Sequence, residues 1–295
     1  MSRHLLGRIA PVFALLIVAT AAMLLGFRLG AMRRTPQRPG YLRVAVLNVG
    51  HGEASWVRTP NGRFIVIGGG PPEQGARVVA SLKAAGAERI DLLILPYPYA
   101  ESIGGVEDLL SAFPVSMAVE PGGERVNQWQ ENCRRFFRQN RIRVHLARAG
   151  QTLMLDGVQI DVLAPGTPFV DAQPVSANNS VVVALRWGAT RFLFAGGLER
   201  AGEVALLSRT PDLSADWLRV AHFGSRRASS SEFLYQVAPR YAVLSVGANS
   251  DGLPHPETLA RLRATGATLL RTDEAGGDLF FRSDGVSVRP EAVAP

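Results

Sequence analysis

At 295 residues and 47% hydrophobic content, the chain is long enough to bury a full core, which argues against intrinsic disorder. Its formal net charge of +7 comes from residues 1–43, which carry seven arginines and no acidic residue, while the body after them holds 25 basic and 25 acidic residues. A body that clamps nucleic acid is expected to carry an excess of arginine and lysine, so a neutral body disfavours that class. The one cysteine, Cys133, excludes an intramolecular disulfide and a cysteine-based zinc site.

The N-terminus predicts a membrane anchor. Residues 1–8 are a short basic stretch, and an uncharged run from Ile9 to Phe27 follows. At about 1.5 Å per residue this run is long enough to cross a hydrocarbon core of roughly 30 Å. A cleaved signal peptide has a shorter apolar core of roughly 7–15 residues, so a retained transmembrane helix over residues 9–29 is favoured. An Arg- and Pro-rich linker over 30–41 follows, and arginines on both flanks leave open which side of the membrane the body faces.

The body begins with a predicted antiparallel β-meander. Leu42 to Gly50 alternates apolar and polar residues and ends in a turn, and two further strands flank a Pro-Asn-Gly turn at 60–62. Helical and strand-like spacing then alternates along the chain. The predicted helices lie within 75–86, 104–113, 127–140, 198–209, 229–239 and 255–266. The predicted strands lie within 91–98, 114–121, 142–148, 151–165, 180–197, 215–225 and 241–247, and a hairpin is predicted over 268–285.

This order predicts one α/β domain over residues 42–290. A first half of strands and helices is followed, from about Val175, by a second half with the same succession of strands and helices, and no linker separates the two. Two sheets packed face to face, with helices outside, fit the pattern best. Strands that lack apolar–polar alternation are predicted to be central and covered on both faces. These strands lie at 92–95, 181–186, 191–195 and 242–246.

Several motifs, in this order, resemble one protein family. The first strand ends in Asn48-Val49-Gly50, a glycine-rich turn follows Ile67, and "LILPYPYAESIGG" occupies Leu93–Gly105. Later landmarks are Asn178-Asn179-Ser180, Ala195-Gly196-Gly197, His222-Phe223-Gly224-Ser225 and Pro254-His255-Pro256. From about Leu42 to Phe281 the chain resembles the metallo-β-lactamase fold, specifically the soluble domain of ComEC-type DNA-uptake proteins. The resemblance implies an α/β fold, a four-layer αββα metallo-β-lactamase-like sandwich, preceded here by one N-terminal transmembrane helix.

The resemblance also implies two divalent metal ions, zinc or manganese, held by histidine and aspartate ligands. This chain has other residues at most of the ligand positions. The histidines of the first half-site become Tyr97 and Tyr99, and the Asp-His pair of the second becomes Glu101 and Ser102. The aspartates of two glycine-flanked turns become Gly68 and Gly197. Of a His-His pair, His222 remains while Phe223 replaces its neighbour.

These substitutions predict that the metal site is degenerate. Tyrosine, with a pKa near 10, is a poor ligand for divalent metals at neutral pH, serine is a weaker one, and glycine offers none. Loss of the bridging carboxylates also removes the negative charge that offsets two dications. We therefore expect no binuclear centre, no cofactor and no catalytic residue of the family's kind.

Other polar residues belong to loops that the resemblance brings to the same cleft: Asn48, His51, Glu53 and His255. The favoured interpretation treats them as remnants, hydrogen-bonded to one another and to loop backbone. The alternative is a rewired site in which His51, Glu101, His222 and His255 bind one metal ion or act as a general acid/base pair. The side-chain carbonyl of Asn48 is predicted to cap its turn.

The sequence thus predicts a membrane-anchored, catalytically inactive pseudoenzyme domain that acts in binding or scaffolding. Two alternatives stay open: a metal-dependent hydrolase or phosphodiesterase with a rewired site, and an accessory DNA-uptake protein that binds single-stranded DNA. Nucleic acid is the less favoured partner because the body is neutral. Apart from the membrane, reached through residues 9–29, the sequence names no ligand or protein partner.

Overall fold

The computed structural model of the protein describes residues 40–123 and 127–292. The predicted basic N-terminus, the anchor over residues 9–29 and nearly all of the linker lie outside these ranges. Within them, no helix has both the length and the apolar character needed to cross a membrane.

Strands and helices alternate along the described chain, as the residue spacing predicts. The strands are β1 (Leu42–Val46), β2 (Ser55–Arg58), β3 (Phe64–Ile67), β4 (Leu92–Ile94), β5 (Met117–Glu120), β6 (Arg143–Leu146), β7 (Thr152–Leu155), β8 (Val158–Ala164), β9 (Val182–Trp187), β10 (Thr190–Phe194), β11 (Trp217–Arg219), β12 (Tyr241–Leu244), β13 (Thr268–Arg271), β14 (Leu279–Ser283) and β15 (Val288–Glu291). The helices are α1 (Gly75–Ala84), α2 (Ala100–Ile103), α3 (Val106–Ala112), α4 (Gln128–Gln139), α5 (Val175–Asn178), α6 (Arg200–Leu207), α7 (Ser231–Val237), α8 (Pro256–Ala264) and α9 (Thr272–Ala275). Short 3-10 turns occupy Pro72–Gln74 and Ala221–Gly224.

The strands form two sheets. The first has eight strands in the order β15-β14-β1-β2-β3-β4-β5-β6, and the second has seven in the order β13-β12-β11-β10-β9-β8-β7. In the first sheet, β1, β2 and β3 pair antiparallel, as the predicted meander requires, while β3 to β6 run parallel. In the second, β10 to β13 run parallel. The strands predicted to be central, now β4, β9, β10 and β12, occupy interior positions, which confirms that prediction.

Three apolar clusters fill the spaces between layers. The cluster between the sheets joins residues of both, among them Val57 and Phe192. A second packs the outer face of the first sheet against α1, α3 and α4, with Phe137 of α4 buried in it. A third packs the outer face of the second sheet against α6, α7 and α8, with Phe233 at its centre. This helix–sheet–sheet–helix layering confirms the predicted two-sheet α/β sandwich.

Two details of the predicted organisation are wrong. The chain passes from the first sheet to the second between Leu146 and Thr152, earlier than the predicted change at Val175. Residues 268–285 do not form a hairpin, because β13 lies at the edge of the second sheet and β14 returns to pair with β1 in the first. The crossing is fixed by Thr272, whose buried hydroxyl donates to the Val246 carbonyl and accepts from the Val246 N–H, both at 2.9 Å.

Phe281 of β14 tests the packing between the sheets. Its ring centroid lies 5.7 Å from that of Trp217 and 5.6 Å from that of Tyr241, both in the second sheet. We expect Phe281→Ala to lower the free energy of unfolding, measured by urea denaturation, by about 3–5 kcal/mol, because a buried aromatic ring leaves a cavity. Phe280→Ala, on the opposite and half-buried face of the same strand, is the matched control and should cost less. Equal losses would contradict this placement of β14.

Candidate functional site

The candidate site lies where loops from both sheets meet. The loop after β1 carries Glu53, the loop after β4 carries Tyr97, and the turn after β11 carries His222. The ring centroids of Tyr97 and His222 are 6.3 Å apart. Burial raises the pKa of the Glu53 carboxyl group, and both of these residues oppose that rise. The structure therefore brings together residues from three of the loops that the sequence assigned to one cleft.

Tyr97 fills the centre of this cleft. It is 1% exposed, and its ring packs directly against Gly197. A Cβ atom added at Gly197 would lie 3.0 and 3.1 Å from two ring carbons of Tyr97 and 3.2 Å from Oγ of Ser180, all closer than ordinary van der Waals contact. The ring thus takes the space that a carboxylate at position 197 would need.

Gly68 is closed off by backbone rather than by a side chain. It has φ of +71°, and a Cβ atom there would overlap the backbone carbonyl of Glu53. That carbonyl is fixed because it accepts from the Gly70 N–H at 2.9 Å, while the Glu53 N–H donates to the Glu101 carbonyl at 2.8 Å. The close approach of these loops leaves no room for a carboxylate at position 68.

Tyr99, assigned to the first half-site, and Ser102, assigned to the second, both make contacts within the protein interior. The ring of Tyr99 stands edge-on to that of Tyr97 at 5.5 Å, and its hydroxyl interacts with Ser176. Burial raises the pKa of Tyr99 above its ordinary value. Ser102 is fully buried in α2, where its N–H donates to the Tyr99 carbonyl at 3.0 Å. These residues pack the loop rather than present ligands.

Glu53 and Arg219 are charged side chains buried at the floor of the cleft, each 1% exposed. Burial raises the pKa of Glu53, whereas the charge of Arg219 and the hydroxyl of Tyr97 oppose the rise. Burial, followed by the neighbouring carboxylates of Glu53 and Glu101, raises the pKa of Tyr97 well above its ordinary value, so its hydroxyl keeps its proton. Within the described residues, neither Glu53 oxygen nor the Tyr97 hydroxyl makes a hydrogen bond of normal geometry.

His222 is held by a buried carboxylate. Its Nδ1 lies 2.9 Å from Oε1 of Glu199, whose Oε2 lies 3.0 Å from Nε of Arg227. Burial raises the pKa of Glu199, but the hydrogen bonds and charges of His222 and Arg227 outweigh it, so the pKa lies below its ordinary value. The Glu199 carboxylate is thus kept ionised directly beside the His222 imidazole.

The turn that carries His222 adopts an unusual backbone. His222 and Phe223 have φ of 44° and 52°, a left-handed conformation that residues with side chains rarely adopt. This turn ends the strand predicted over 215–225 after only three residues. Phe223 is buried, and its ring centroid lies 4.3 Å from that of His51. The residue that replaces a family histidine therefore packs against a second histidine.

Two further groups of the cleft, His51 and Glu101, have shifted pKa values. Burial lowers the pKa of His51, and although Asp251 opposes this, His222 and Arg219 add to it, so the His51 imidazole is neutral. Burial raises the pKa of Glu101, partly offset by its own backbone N–H and by His222. Both shifts follow from a cleft that is shielded from water.

Asn48 and His255 serve local backbone. Oδ1 of Asn48 accepts from the Gly50 N–H at 3.3 Å, which confirms the predicted turn cap. His255 is the N-cap of α8, where its Nδ1 accepts from the Glu257 N–H at 3.2 Å. Its imidazole is thus already engaged at a helix end.

The donor set does not fit a binuclear metal centre. Across residues 40–123 and 127–292, no group of three or more histidine, cysteine, aspartate or glutamate side chains is placed to hold a metal ion. The Tyr97 ring and the Glu53 carbonyl fill the space beside Gly197 and Gly68. The buried guanidinium of Arg219 adds a fixed positive charge, which disfavours a dication nearby.

Sequence reasoning missed Glu199, Arg219 and Arg227. Arg219 had a usable signal, since it is a charged residue in an otherwise apolar strand, and such residues are rarely fully buried without a partner. Glu199 lies at the start of α6, where a carboxylate is most simply read as favouring a helix N-terminus. Only the tertiary structure shows that it meets His222.

Curated proteins share sequence with this chain over most of its length. No family model matches the chain. Over 252 residues it is 29% identical to "ComE operon protein 3" of Bacillus subtilis (strain 168), covering 79% of this chain and 32% of that protein. Over 240 residues it is 31% identical to "Competence protein ComA" of Neisseria gonorrhoeae, covering 80% of this chain and 32% of that protein. The chain spans about a third of the length of these curated relatives.

Solved structures share the fold at low sequence identity. The metallo-β-lactamase fold protein YhfI from Bacillus subtilis superposes with a TM-score of 0.54 at 9% identity, covering 82% of this chain and 100% of that one. CmlA, a diiron β-hydroxylase from Streptomyces venezuelae, gives 0.56 at 13% identity, covering 83% of this chain and 55% of that one. The protein thus has a metallo-β-lactamase fold. Within that class, its sequence resembles the ComEC-type competence proteins, as its motifs predicted.

The packing of Tyr97 on Gly197 generates a prediction about stability. We expect Gly197→Ala to lower the free energy of unfolding by about 1–3 kcal/mol, because the added methyl group overpacks the cleft. In a chain that carries Tyr97→Ala, the same substitution should cost much less, since the ring is gone. Urea denaturation of the four chains measures this coupling.

Gly68→Ala is the control, because its new methyl group would meet backbone rather than the Tyr97 ring. Its cost should be the same with and without Tyr97→Ala. An equal cost of Gly197→Ala in both backgrounds would show that the ring does not set the space at position 197.

Proposed function

We propose that this domain is a metallo-β-lactamase-fold pseudoenzyme that acts in binding or scaffolding, is tethered to a membrane, and lacks binuclear hydrolase activity. The observation that carries the proposal is the ring of Tyr97 against Gly197, in the space of a metal-bridging carboxylate. A second support is charge, because the buried Arg219 ends the strand that leads into the turn carrying His222, and a positive charge there disfavours a dication nearby.

The similarity to competence proteins supports a setting for this domain. One relative is named as a competence protein and another as a ComE operon protein, and the similarity to each extends over about four-fifths of this chain. Since those relatives are about three times longer than the shared part, the proposal covers this domain alone. Its proposed role is that of a non-hydrolytic domain working beside a DNA-uptake system.

Metal content tests the proposal directly. We expect the purified full chain to contain no stoichiometric zinc or manganese by elemental analysis and to show no turnover of a phosphodiester substrate. Six of the eight positions that the resemblance assigns to ligands hold tyrosine, serine, glycine or phenylalanine, which bind such ions poorly or not at all. Adding either metal should leave both results unchanged. Two equivalents of tightly bound metal, with turnover that chelation abolishes, would refute the proposal.

One feature favours a metal-independent hydrolase as a second candidate. The imidazole of His222 is oriented by Glu199 at 2.9 Å, the arrangement that a general base requires, and it sits on a strained turn. Turnover that survives chelation and disappears in both His222→Ala and Glu199→Gln would favour this candidate over a pseudoenzyme.

A cavity beside the same dyad bears on single-stranded DNA as a partner. It has a volume of about 570 Å³, and its lining includes Arg200, Arg226, Arg227 and Arg261. Three of these arginines pair with glutamates, which reduces their net charge. Titration of labelled single-stranded DNA at several salt concentrations tests this partner. A sub-micromolar affinity that falls steeply with salt would favour DNA binding.

The membrane tether rests on the uncharged run from Ile9 to Phe27. We expect the full chain to sediment with membranes and to resist alkaline carbonate extraction. The double substitution Leu16→Arg and Val18→Arg should release it, because each charge at the bilayer centre costs about 2.5–3.5 kcal/mol. Leu16→Ile with Val18→Ile is the matched control and should stay in the membrane fraction. Recovery of the unaltered chain in the carbonate wash would contradict a transmembrane anchor.

A further inference from the structure

A cavity of about 610 Å³ lies beside the loop that carries Tyr97. This side cavity is bounded by the segments that follow β4, β5, β6 and β8, which contribute Pro98, Pro121, Arg148 and Phe169. Because β4, β5 and β6 run parallel, their carboxyl ends meet at one edge of the first sheet. Small-ligand sites are often placed at such an edge and have volumes of roughly 300–1,000 Å³. The side cavity thus has the position and the size of a ligand site.

The walls of the side cavity are apolar and rigid. Pro98 and Pro121 are both buried, and a proline ring is fixed to the backbone that carries it. Gly122 and Gly123 continue this wall with φ of 75° and 113° and add no side chain. A Cβ atom added at Gly123 would lie 3.4 Å from a ring carbon of Phe169, so the aromatic ring packs on this part of the wall. Walls of this kind are complementary to a flat apolar body such as an aromatic ring.

Arg148 adds a positive charge to the same cavity. Its guanidinium carbon lies 4.8 Å from the centroid of the Phe169 ring, and its Nη1 donates to the Pro121 carbonyl at 2.8 Å. These two contacts hold the guanidinium in one orientation. Among the ion pairs of residues 40–123 and 127–292, none involves Arg148. A guanidinium held in this way is complementary to an anionic group.

The other polar groups of the lining do not compete for this charge. The side chain of Asn179 is engaged by loop backbone, since it accepts from the Val170 N–H at 2.8 Å and donates to the Val170 carbonyl at 2.9 Å. Among the described residues that line the side cavity, Asp171 carries the one carboxylate, and it is exposed. Arg148 therefore sets the charge that a ligand of the side cavity would meet.

We propose that the side cavity binds a small ligand with a flat aromatic body and an anionic group. The body packs against Phe169 and the proline rings, and the anionic group binds Arg148. None of the lining residues is a position that the resemblance assigns to the metal site, so this ligand site goes beyond the proposed function and does not depend on the absence of metal. It assigns a ligand class to a domain whose sequence names none.

Two probes that differ in charge test the site in the purified full chain. Naphthalene sulfonate has a flat ring and an anion, whereas naphthalene sulfonamide has the same ring and a similar volume without the charge. Isothermal titration calorimetry should show saturable binding of the sulfonate, at least about tenfold tighter than that of the sulfonamide, because hydrogen bonds between charged groups are the stronger ones.

Substitutions of Arg148 and Phe169 separate the two parts of the site. Arg148→Met should lower the affinity for the sulfonate to that for the sulfonamide and leave the sulfonamide unchanged. Arg148→Lys should retain part of the preference, because it keeps the charge. Phe169→Ala should weaken the binding of both probes alike, because it removes apolar surface that both rings contact.

Arg240 provides the matched control. Its guanidinium carbon lies 5.2 Å from the centroid of the Tyr241 ring, so it is also an arginine over an aromatic ring, but it lines a different cavity. Arg240→Met should leave the affinity for both probes unchanged.

Absence of saturable sulfonate binding, or equal affinity for the two probes in the unaltered chain, would overturn the proposed ligand site. An equal loss of both probes in Arg148→Met would also overturn it, since the guanidinium would then shape the cavity rather than bind an anion. If Arg148→Met does not fold, Arg148→Gln, which keeps an N–H donor for the Pro121 carbonyl, takes its place with the same expected result. Metal content of the unaltered chain reports separately on the proposed function, whatever the probes show.

Discussion

The packing of the Tyr97 ring against the Gly197 backbone is the constraint on which the rest of the cleft depends. An aromatic ring and a metal-bridging carboxylate require the same volume, and here the ring has it. Once that volume is occupied, the loop after β10 can approach only with a residue that has no side chain. The same logic applies at Gly68, where the Glu53 carbonyl takes the space. The floor of the cleft is therefore packed as a protein interior rather than arranged as a set of ligands.

Such a floor still needs its charges balanced, because a carboxylate shielded from water is costly unless it has a partner. Glu199 is balanced by His222 and by Arg227, which is largely exposed. Glu53 is 1% exposed, and burial raises the pKa of its carboxyl group. The frame that positions these groups does not rely on any ion, since the apolar cluster between the sheets and the two clusters beneath the helices fix the strands from which every loop begins. Apolar packing is therefore enough to hold the loops of the cleft in their places.

Much of the fold could be predicted from the sequence, because its signals are local or ordered. The fully apolar strands, the meander with its Pro-Asn-Gly turn and the succession of motif landmarks all depend on near neighbours in the chain. The return of β14 to the first sheet could not be read in this way. Residues 268–285 contain two strand-like runs joined by a polar segment, which is also the pattern of a hairpin. The two hydrogen bonds between Thr272 and Val246, which hold the chain at the point where the runs separate, join residues far apart in the sequence.

The candidate site also combines features that local sequence motifs predict with features that only tertiary packing produces. Motif spacing is what assigns the degenerate positions, since the resemblance places each ligand at a fixed point of a motif, and that assignment stays a prediction. Glu199 and Arg227 belong to no such motif, and the contacts of Glu199 with Arg227 and His222 arise only through tertiary packing. His255, which lies near a family landmark, caps α8 with its imidazole, a contact to local backbone of the kind that the favoured interpretation expects.

Crystals grown in the presence of manganese or zinc give the most direct measurement, through anomalous scattering at the absorption edge of the metal. The account predicts an anomalous map without a peak among Tyr97, Glu53 and His222, with the Tyr97 ring seated against Gly197. Two peaks within the cleft, roughly 3.5–4 Å apart as in binuclear sites, would contradict it.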